Sequence, residues 1–124
     1  MNGTLPHPQY MPGLHVICDF ESLEGAKLKD TRGFAALLNS LIAKYKLNSL
    51  GDVYHSFPEA GFTAMVCLTE SHIAIHTWPE YNRATFDVFL SNYERVNDGH
   101  AKEITRHILE YFNATSNTIH EIKR

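Results

Sequence analysis

The chain has 124 residues, of which 44% are hydrophobic and 20% charged, and its formal net charge is −3 at pH 7. This length is typical of one globular domain with its own core, so we expect a single domain over residues 1–124. The slight negative charge, without a basic block, argues against a nucleic-acid partner. The absence of a long apolar run argues against a membrane-spanning segment.

The N-terminus lacks the charged start and the apolar stretch of a signal peptide, and three prolines fall within residues 1–12. We therefore predict an irregular arm at this end of the chain. Cys18 and Cys67 lie in separate apolar runs. This placement predicts two buried free thiols in a cytoplasmic protein.

The first half of the chain predicts strand, helix, strand, strand. Short runs rich in apolar and β-branched residues favour strands at residues 13–20, 48–57 and 62–69. The last of these is so apolar that we expect it to be buried on both faces. Residues 21–29 are polar and are predicted to form a loop. Asp30 and Thr31 can cap a helix whose apolar residues recur at helical spacing over about four turns.

The second half predicts two strands, a helix and a last strand. Residues 72–78 form a strand that Pro79 ends, and residues 83–91 form the next one. Residues 97–99 open the second helix, and residues 118–123 form the final strand. Two helices cannot cover both faces of such a sheet, so we predict an α+β fold: a two-layer α/β sandwich, mostly antiparallel, with both helices on one face. Apolar residues left on the other face make a homodimer plausible.

The stretch from Leu68 to Glu80 concentrates polar chemistry between two apolar strands. His72 and His76 lie four residues apart, but on a strand this spacing is about 13 Å, too far for one metal ion, so we predict no metal. Ser71 lacks the glycines of a hydrolase nucleophile elbow, which leaves a serine hydrolase unsupported. Ser71 and His76 also point to opposite faces of an unbroken strand, so they can cooperate only where the chain bends or breaks near residue 71.

The run Glu70-Ser71-His72-Ile73-Ala74-Ile75-His76-Thr77-Trp78-Pro79-Glu80 closely resembles the self-cleavage motif of the small prokaryotic S-adenosylmethionine decarboxylases. These are pyruvoyl-dependent enzymes of polyamine synthesis. Further similarity lies at Gly13-Leu14-His15, at His55-Ser56-Phe57 followed by Gly61-Phe62-Thr63, and at Phe86-Asp87-Val88-Phe89. The resemblance covers residues 13–92 well and the C-terminal helix and strand less specifically.

The resemblance implies a cleavage between Glu70 and Ser71 that gives fragments 1–70 and 71–124. The Ser71 hydroxyl would attack the Glu70 carbonyl, and elimination of the resulting ester would convert Ser71 into a pyruvoyl group. In the family, the histidine at position 76 assists elimination and the hydroxyl at position 63 assists processing. Position 63 carries Thr63 here, where the family usually has serine.

The implied reaction is decarboxylation of S-adenosylmethionine to the aminopropyl donor for spermidine synthesis. The pyruvoyl carbonyl would form a Schiff base with the substrate amine and act as an electron sink. By resemblance, Phe57 stacks on the adenine and Glu80 holds the ribose hydroxyls, in an active site near a homodimer interface. Simple core packing is the alternative for Phe57 and for Trp78.

Ser91 departs from the family pattern, which usually places a cysteine there as the proton donor after decarboxylation. A serine hydroxyl is far less acidic than a thiol, whose pKa is near 8.5, and therefore a poorer donor. Two alternatives stay open for this reason. The same self-processing enzyme could act on another amino acid, such as ornithine or arginine, or the chain could be a non-catalytic ligand-binding relative. The sequence does not indicate whether a diamine such as putrescine stimulates processing.

Overall fold

The computed structural model describes residues 9–124, so most of the predicted N-terminal arm lies outside the described residues. The strands are β1 (Leu14–Glu21), β2 (Ser49–Ser56), β3 (Phe62–Leu68), β4 (Ser71–Trp78), β5 (Arg83–Leu90) and β6 (Ser116–Lys123). The helices are α1 (Gly25–Leu28), α2 (Thr31–Lys44) and α3 (Asp98–Tyr111), and a 3-10 turn at Pro79–Tyr81 follows β4. No helix among these is both long and apolar enough to cross a bilayer.

The strands form one six-stranded sheet in the order β2-β3-β4-β5-β1-β6, and every neighbouring pair is antiparallel. Consecutive strands from β2 to β5 are neighbours, as short connections favour. The first strand instead lies between β5 and β6, so the N-terminal half of the chain inserts a strand into the C-terminal half. This crossing of the two halves places residue 15 beside residue 89.

The core lies between one face of the sheet and the helices α2 and α3. Phe34 of α2 contacts Phe62 of β3 and Phe112 at the end of α3, and Phe112 also contacts Phe20 of β1. Both helices therefore pack on the same face, which confirms the predicted two-layer sandwich. Asp30 caps α2 by accepting a hydrogen bond from the Gly33 N–H, as predicted. The loop predicted at residues 21–29 contains the four-residue helix α1.

The other face of the sheet carries no helix and is called the open face here. It presents alternate residues of each strand, and its exposed apolar side chains include Val53, Met65, Trp78 and Ile122. The prediction that β3 is buried on both faces is wrong, because its burial alternates and Met65 and Cys67 are exposed. Cys18 is a buried free thiol as predicted, whereas Cys67 is a free thiol on the open face.

Candidate functional site: a cleavage turn and an aromatic pocket

Thr69 and Glu70 form the two-residue turn that joins β3 to β4, with Leu68 and Ser71 paired on either side. Ser71 has a φ of 142°, a backbone conformation that side-chain-bearing residues rarely adopt. Such a conformation stores roughly 1–3 kcal/mol of strain. The chain therefore departs from extended geometry at Ser71. A departure at this residue is what the cooperation of Ser71 with His76 was predicted to need.

The carbonyl oxygen of Glu70 accepts a hydrogen bond of 2.7 Å from the backbone N–H of Ser91. This donor polarises the peptide bond between Glu70 and Ser71. It also lies within the 2.7–3.1 Å at which a donor stabilises a developing oxyanion. Residues 70, 71 and 91, which the sequence analysis selected separately, therefore come together in one place, called the cleavage site here.

The backbone of Ser91 is fixed from two sides. The Asn97 side chain donates to the Ser91 carbonyl at 2.9 Å, and Gly13 packs directly against the peptide bond before Ser91. A Cβ on Gly13 would lie 2.4 Å from the Leu90 oxygen and 2.9 Å from the Ser91 Cα, so only glycine allows this approach. The contacts with Gly13 and Asn97 thus hold the Ser91 N–H in its direction toward Glu70.

The described cysteines lie outside the cleavage site. Cys18 faces the core, and burial, reinforced by the nearby Asp19 carboxylate, raises the pKa of its thiol to about 12. Cys67 pairs with His72 across β3 and β4, on the open face. Neither residue occupies the position of Ser91, so Ser91 is the residue that this fold places beside the Glu70–Ser71 bond.

A second cluster, called the aromatic pocket here, lies at the far end of β3 and β4. The Thr63 hydroxyl and the His76 Nδ1 are 2.5 Å apart, and the Trp78 ring lies beside that of His76 with 6.2 Å between centroids. Together with Phe57 and Glu80 they line an open cavity of about 560 Å³. Phe57 is 48% exposed and Trp78 is 40% exposed, so neither ring packs in the core.

Thr77 and Gly61 hold the wall of the aromatic pocket. The buried Thr77 hydroxyl accepts from the Phe62 N–H at 2.8 Å and donates to the Leu28 carbonyl at 2.7 Å. A Cβ on Gly61 would lie 2.2 Å from the Thr77 carbonyl oxygen, so the turn before β3 packs on β4 without space for a side chain. These contacts fix the start of β3 against the end of β4, and Phe57 and Glu80 flank these two segments in the sequence.

The cleavage site and the aromatic pocket are too far apart to act together within one chain. Ser71 begins β4, His76 comes five residues later and Trp78 ends the strand. At about 3.3 Å per residue, His76 lies about 16 Å from Ser71 along the strand. The pairing of β4 with β3 and β5 runs from Ser71 to His76 without a register shift, so the strand is extended over this length. The predicted cooperation of Ser71 with His76 therefore needs His76 from another copy of the chain.

A third cluster, which the sequence analysis did not find, lies on the open face. The Nε2 atoms of His15 and His72 lie 2.9 Å and 2.7 Å from the same oxygen of Asp87. His15 and His72 both face Phe89 from neighbouring strands, and Asp87 is two residues along β5. Only the strand order brings these residues together, since 72 positions separate His15 from Asp87.

Among the described residues, His15, His72 and Asp87 form one group with ligand atoms within 4.8 Å of one another. The Arg124 guanidinium lies 3.5 Å from the His15 Nδ1, which favours the tautomer that carries its proton on Nε2. That proton is donated to Asp87, so the three side chains satisfy one another as hydrogen-bond partners. A metal ion would have to displace this proton, and the absence of a metal stays a prediction.

Comparisons with known proteins agree with the resemblance in the sequence. The family model described as S-adenosylmethionine decarboxylase matches residues 14–124. A protein of Sulfurihydrogenibium sp. strain YO3AOP1 named S-adenosylmethionine decarboxylase proenzyme is 36% identical over 77 residues, which cover 62% of this chain and 58% of that protein. A protein of the same name from Thermoplasma volcanium is 28% identical over 96 residues, which cover 77% of this chain and 74% of that protein.

The fold also matches a solved structure. The crystal structure of the adenosylmethionine decarboxylase from Aquifex aeolicus superimposes with a TM-score of 0.81 and 27% identity, over 93% of this chain and 92% of that one. The chain spans 58% of the length of the Sulfurihydrogenibium relative that it matches. The family match covers β1 to β6, including the cleavage site and the aromatic pocket. This chain belongs to the S-adenosylmethionine decarboxylase family.

Proposed function

We propose that the chain is the precursor of a pyruvoyl-dependent S-adenosylmethionine decarboxylase, a carbon–carbon lyase, and that it cuts itself between Glu70 and Ser71. The observation that carries the proposal is the Glu70 carbonyl, which is hydrogen-bonded to the Ser91 N–H beside a strained Ser71. Relatives named proenzymes support a precursor that must be processed.

In the cleavage, the Ser71 hydroxyl attacks the carbonyl carbon of Glu70, and the peptide bond between the two residues becomes an ester. The Ser91 N–H stabilises the negative charge that develops on the Glu70 oxygen. Breaking the bond also releases the backbone strain at Ser71. Loss of the Ser71 Cα proton then eliminates the ester, leaving Glu70 as a carboxyl terminus and residue 71 as the precursor of the pyruvoyl group.

The pyruvoyl group formed at position 71 supplies an electron sink for loss of carbon dioxide from an α-amino acid. The residues of this chain bind and orient the substrate. Phe57 offers an exposed aromatic face for the adenine, and Glu80, which lines the same cavity, offers a carboxylate for the ribose hydroxyls. Ser91, whose backbone N–H contacts the Glu70 carbonyl, would return a proton to the product.

We propose that the working enzyme is a homodimer in which the open faces of two chains meet. Each chain carries its cleavage site and its aromatic pocket at opposite ends of β4, about 16 Å or more apart. A two-fold arrangement of antiparallel sheets brings the aromatic pocket of one chain to the cleavage site of the other. His76 of the partner would then take up the Cα proton of Ser71, and the Thr63 hydroxyl, which is hydrogen-bonded to His76, would assist processing.

The open face has the composition that such an interface requires. Val53 is 66% exposed, Met65 46% and Ile122 43%, and all three belong to strands of the open face. Val53 and Met65 are cross-strand neighbours, and adjoining exposed apolar side chains favour a surface that a partner covers. The proposed product is the aminopropyl donor for spermidine synthesis, made by a cytoplasmic enzyme.

The first test is an intact-mass spectrum of the purified protein under denaturing conditions. We expect two fragments, 1–70 and 71–124, the second with a pyruvoyl terminus. Ser71→Ala should leave one uncut chain without decarboxylase activity, because the attacking hydroxyl is gone. Cleavage that persists in Ser71→Ala would contradict the assignment, and an uncut wild-type chain would favour a ligand-binding relative.

A further inference from the structure

We propose that Arg95 is a positioning residue for self-cleavage, and that it acts by holding the side chain of Glu70. The inference rests on the proposed cleavage between Glu70 and Ser71. It adds a residue that the sequence motif does not contain, because Arg95 lies in the connection between β5 and α3. This connection, residues 91–97, is called the 91–97 loop here.

Arg95 is anchored to the C-terminal end of α2. Its Nη2 donates to the carbonyls of Tyr45 at 3.0 Å and of Lys46 at 2.9 Å. Lys46 has a φ of 56°, so α2 ends in a left-handed residue, and the carbonyls at that point have no partner within the helix. A cation at a helix C-terminus is further favoured by the helix dipole. The guanidinium is therefore fixed without help from Glu70.

From this anchor, the Arg95 guanidinium faces the Glu70 carboxylate. The Arg95 Nη2 lies 3.8 Å from the Glu70 Oε2, and only 16% of the Glu70 side chain is exposed. The other carboxylate oxygen accepts from the Thr69 hydroxyl at 2.8 Å and faces the Asn48 N–H at 3.4 Å. The carboxylate is therefore held by neutral donors on one oxygen, and Arg95 is the cation that faces the other oxygen.

The 91–97 loop thus holds Glu70 at two points. The Ser91 N–H contacts the backbone carbonyl of Glu70, and Arg95 contacts its side chain. The loop itself is fixed by the buried side chains of Asn92 and Asn97. With both ends of Glu70 held, the peptide plane before Ser71 cannot rotate away from the Ser91 N–H. Without Arg95, the Glu70 side chain loses one of its anchors, and we expect the carbonyl to be held less firmly against the Ser91 N–H.

The test follows cleavage of newly synthesised full-length chains over time, with Arg95→Ala compared to Arg106→Ala. Arg106 is an exposed arginine of α3 with ion pairs to Glu103 and Glu110, and it serves as the matched control. We expect Arg95→Ala to lengthen the cleavage half-time at least roughly tenfold, since small misplacements of reacting groups have effects of this size. Arg95→Lys should restore part of the rate, and Arg106→Ala should cleave like the wild type.

Glu70→Gln tests whether Arg95 acts through the Glu70 carboxylate. This variant keeps the backbone carbonyl and removes the ion pair, so it should also slow cleavage. The double variant Arg95→Ala/Glu70→Gln should be no slower than the slower single variant, because both changes break the same contact. Fully additive slowing, with each change multiplying the effect of the other, would overturn the inference.

Hydroxylamine identifies the step that Arg95 assists. It cleaves the ester at the Glu70 carbonyl, giving a hydroxamate on Glu70 and a free amine on Ser71. If Arg95 positions the carbonyl for the attack, no ester accumulates in Arg95→Ala, and hydroxylamine should not speed its cleavage. Rapid cleavage with hydroxylamine would place the defect at elimination and overturn the inference.

Two results separate the inference from the proposed function. Normal cleavage of Arg95→Ala beside a cleaved wild type overturns the role of Arg95 alone. A wild type that stays uncut overturns the proposed function and the inference with it. Circular dichroism of Arg95→Ala should match that of the uncut Ser71→Ala precursor, since the Arg95 side chain is partly exposed on the 91–97 loop.

Discussion

Mixing two inactive variants should restore decarboxylase activity if each active site is shared between two chains. Ser71→Ala destroys the cleavage site but keeps the aromatic pocket, whereas Glu80→Gln keeps Ser71 and weakens the aromatic pocket. These residues lie at opposite ends of β4 in one chain, and His76 alone is about 16 Å from Ser71. A dimer with one chain of each kind therefore contains one complete site and one site with both defects.

The size of the restored activity follows from counting sites. When the two chains are made in equal amounts and pair at random, about half of the dimers are mixed, and each mixed dimer has one complete site out of two. We expect about one quarter of the wild-type activity per total protein, against almost none for either variant alone. The assay is release of labelled carbon dioxide from S-adenosylmethionine labelled in the carboxyl group, after coexpression.

A matched control uses two variants of the same half-site. Glu80→Gln coexpressed with Phe57→Ala should restore nothing, because every mixed dimer still has a damaged aromatic pocket at each cleavage site. Mass spectrometry should confirm that the Glu80→Gln chains are cleaved in both mixtures. If the first mixture has no more activity than its separate variants while mixed dimers are present, the shared-site reasoning is wrong.

Three further outcomes are expected. Ser91→Cys should raise the rate of decarboxylation, because a thiol with a pKa near 8.5 donates a proton more readily than a serine hydroxyl. An unchanged rate in a folded protein would contradict Ser91 as the proton donor. Thr77→Val should lower the free energy of unfolding by about 1–3 kcal/mol, because the Phe62 N–H loses its buried acceptor. Urea unfolding in the uncut Ser71→Ala background measures this change. Thr77→Ser, which keeps the hydroxyl, is the control. S-adenosylmethionine should raise the melting temperature of the processed protein, while ornithine and arginine should not, and the reverse pattern would indicate a different substrate.

The strands and the two long helices could be predicted because each has a clear local pattern. Helix α2 combines the Asp30 cap with apolar residues at helical spacing, and β4 ends at Pro79. Helix α1 has only four residues and no side-chain cap, so nothing in its local sequence distinguishes it from a loop. The error for β3 has a different cause. Met65 and Cys67 belong to an apolar face that this chain leaves exposed, and hydropathy alone cannot distinguish that face from the core.

The site was only partly visible in the sequence. The motif from Glu70 to Glu80 identified Ser71, His76 and Glu80 together, but their separation depends on β4 being extended over its full length. The contact of the Ser91 N–H with Glu70 involves a backbone group, which no residue pattern records. Arg95 and the cluster of His15, His72 and Asp87 depend on contacts between distant segments, and these follow from strand order and from the end of α2.

The position of β1 between β5 and β6 determines what the proposed cleavage would do to the molecule. Fragment 1–70 contains β1, β2 and β3, whereas fragment 71–124 contains β4, β5 and β6, and the pairings β1–β5, β1–β6 and β3–β4 all join one fragment to the other. The fragments are therefore interlocked and cannot dissociate while the sheet is intact. Once unfolded, however, the processed protein must reassemble from two separate molecules, so its refolding depends on concentration while that of the precursor does not. The proposed cleavage would thus convert a chain that folds by itself into a complex of two fragments that must meet again once it unfolds.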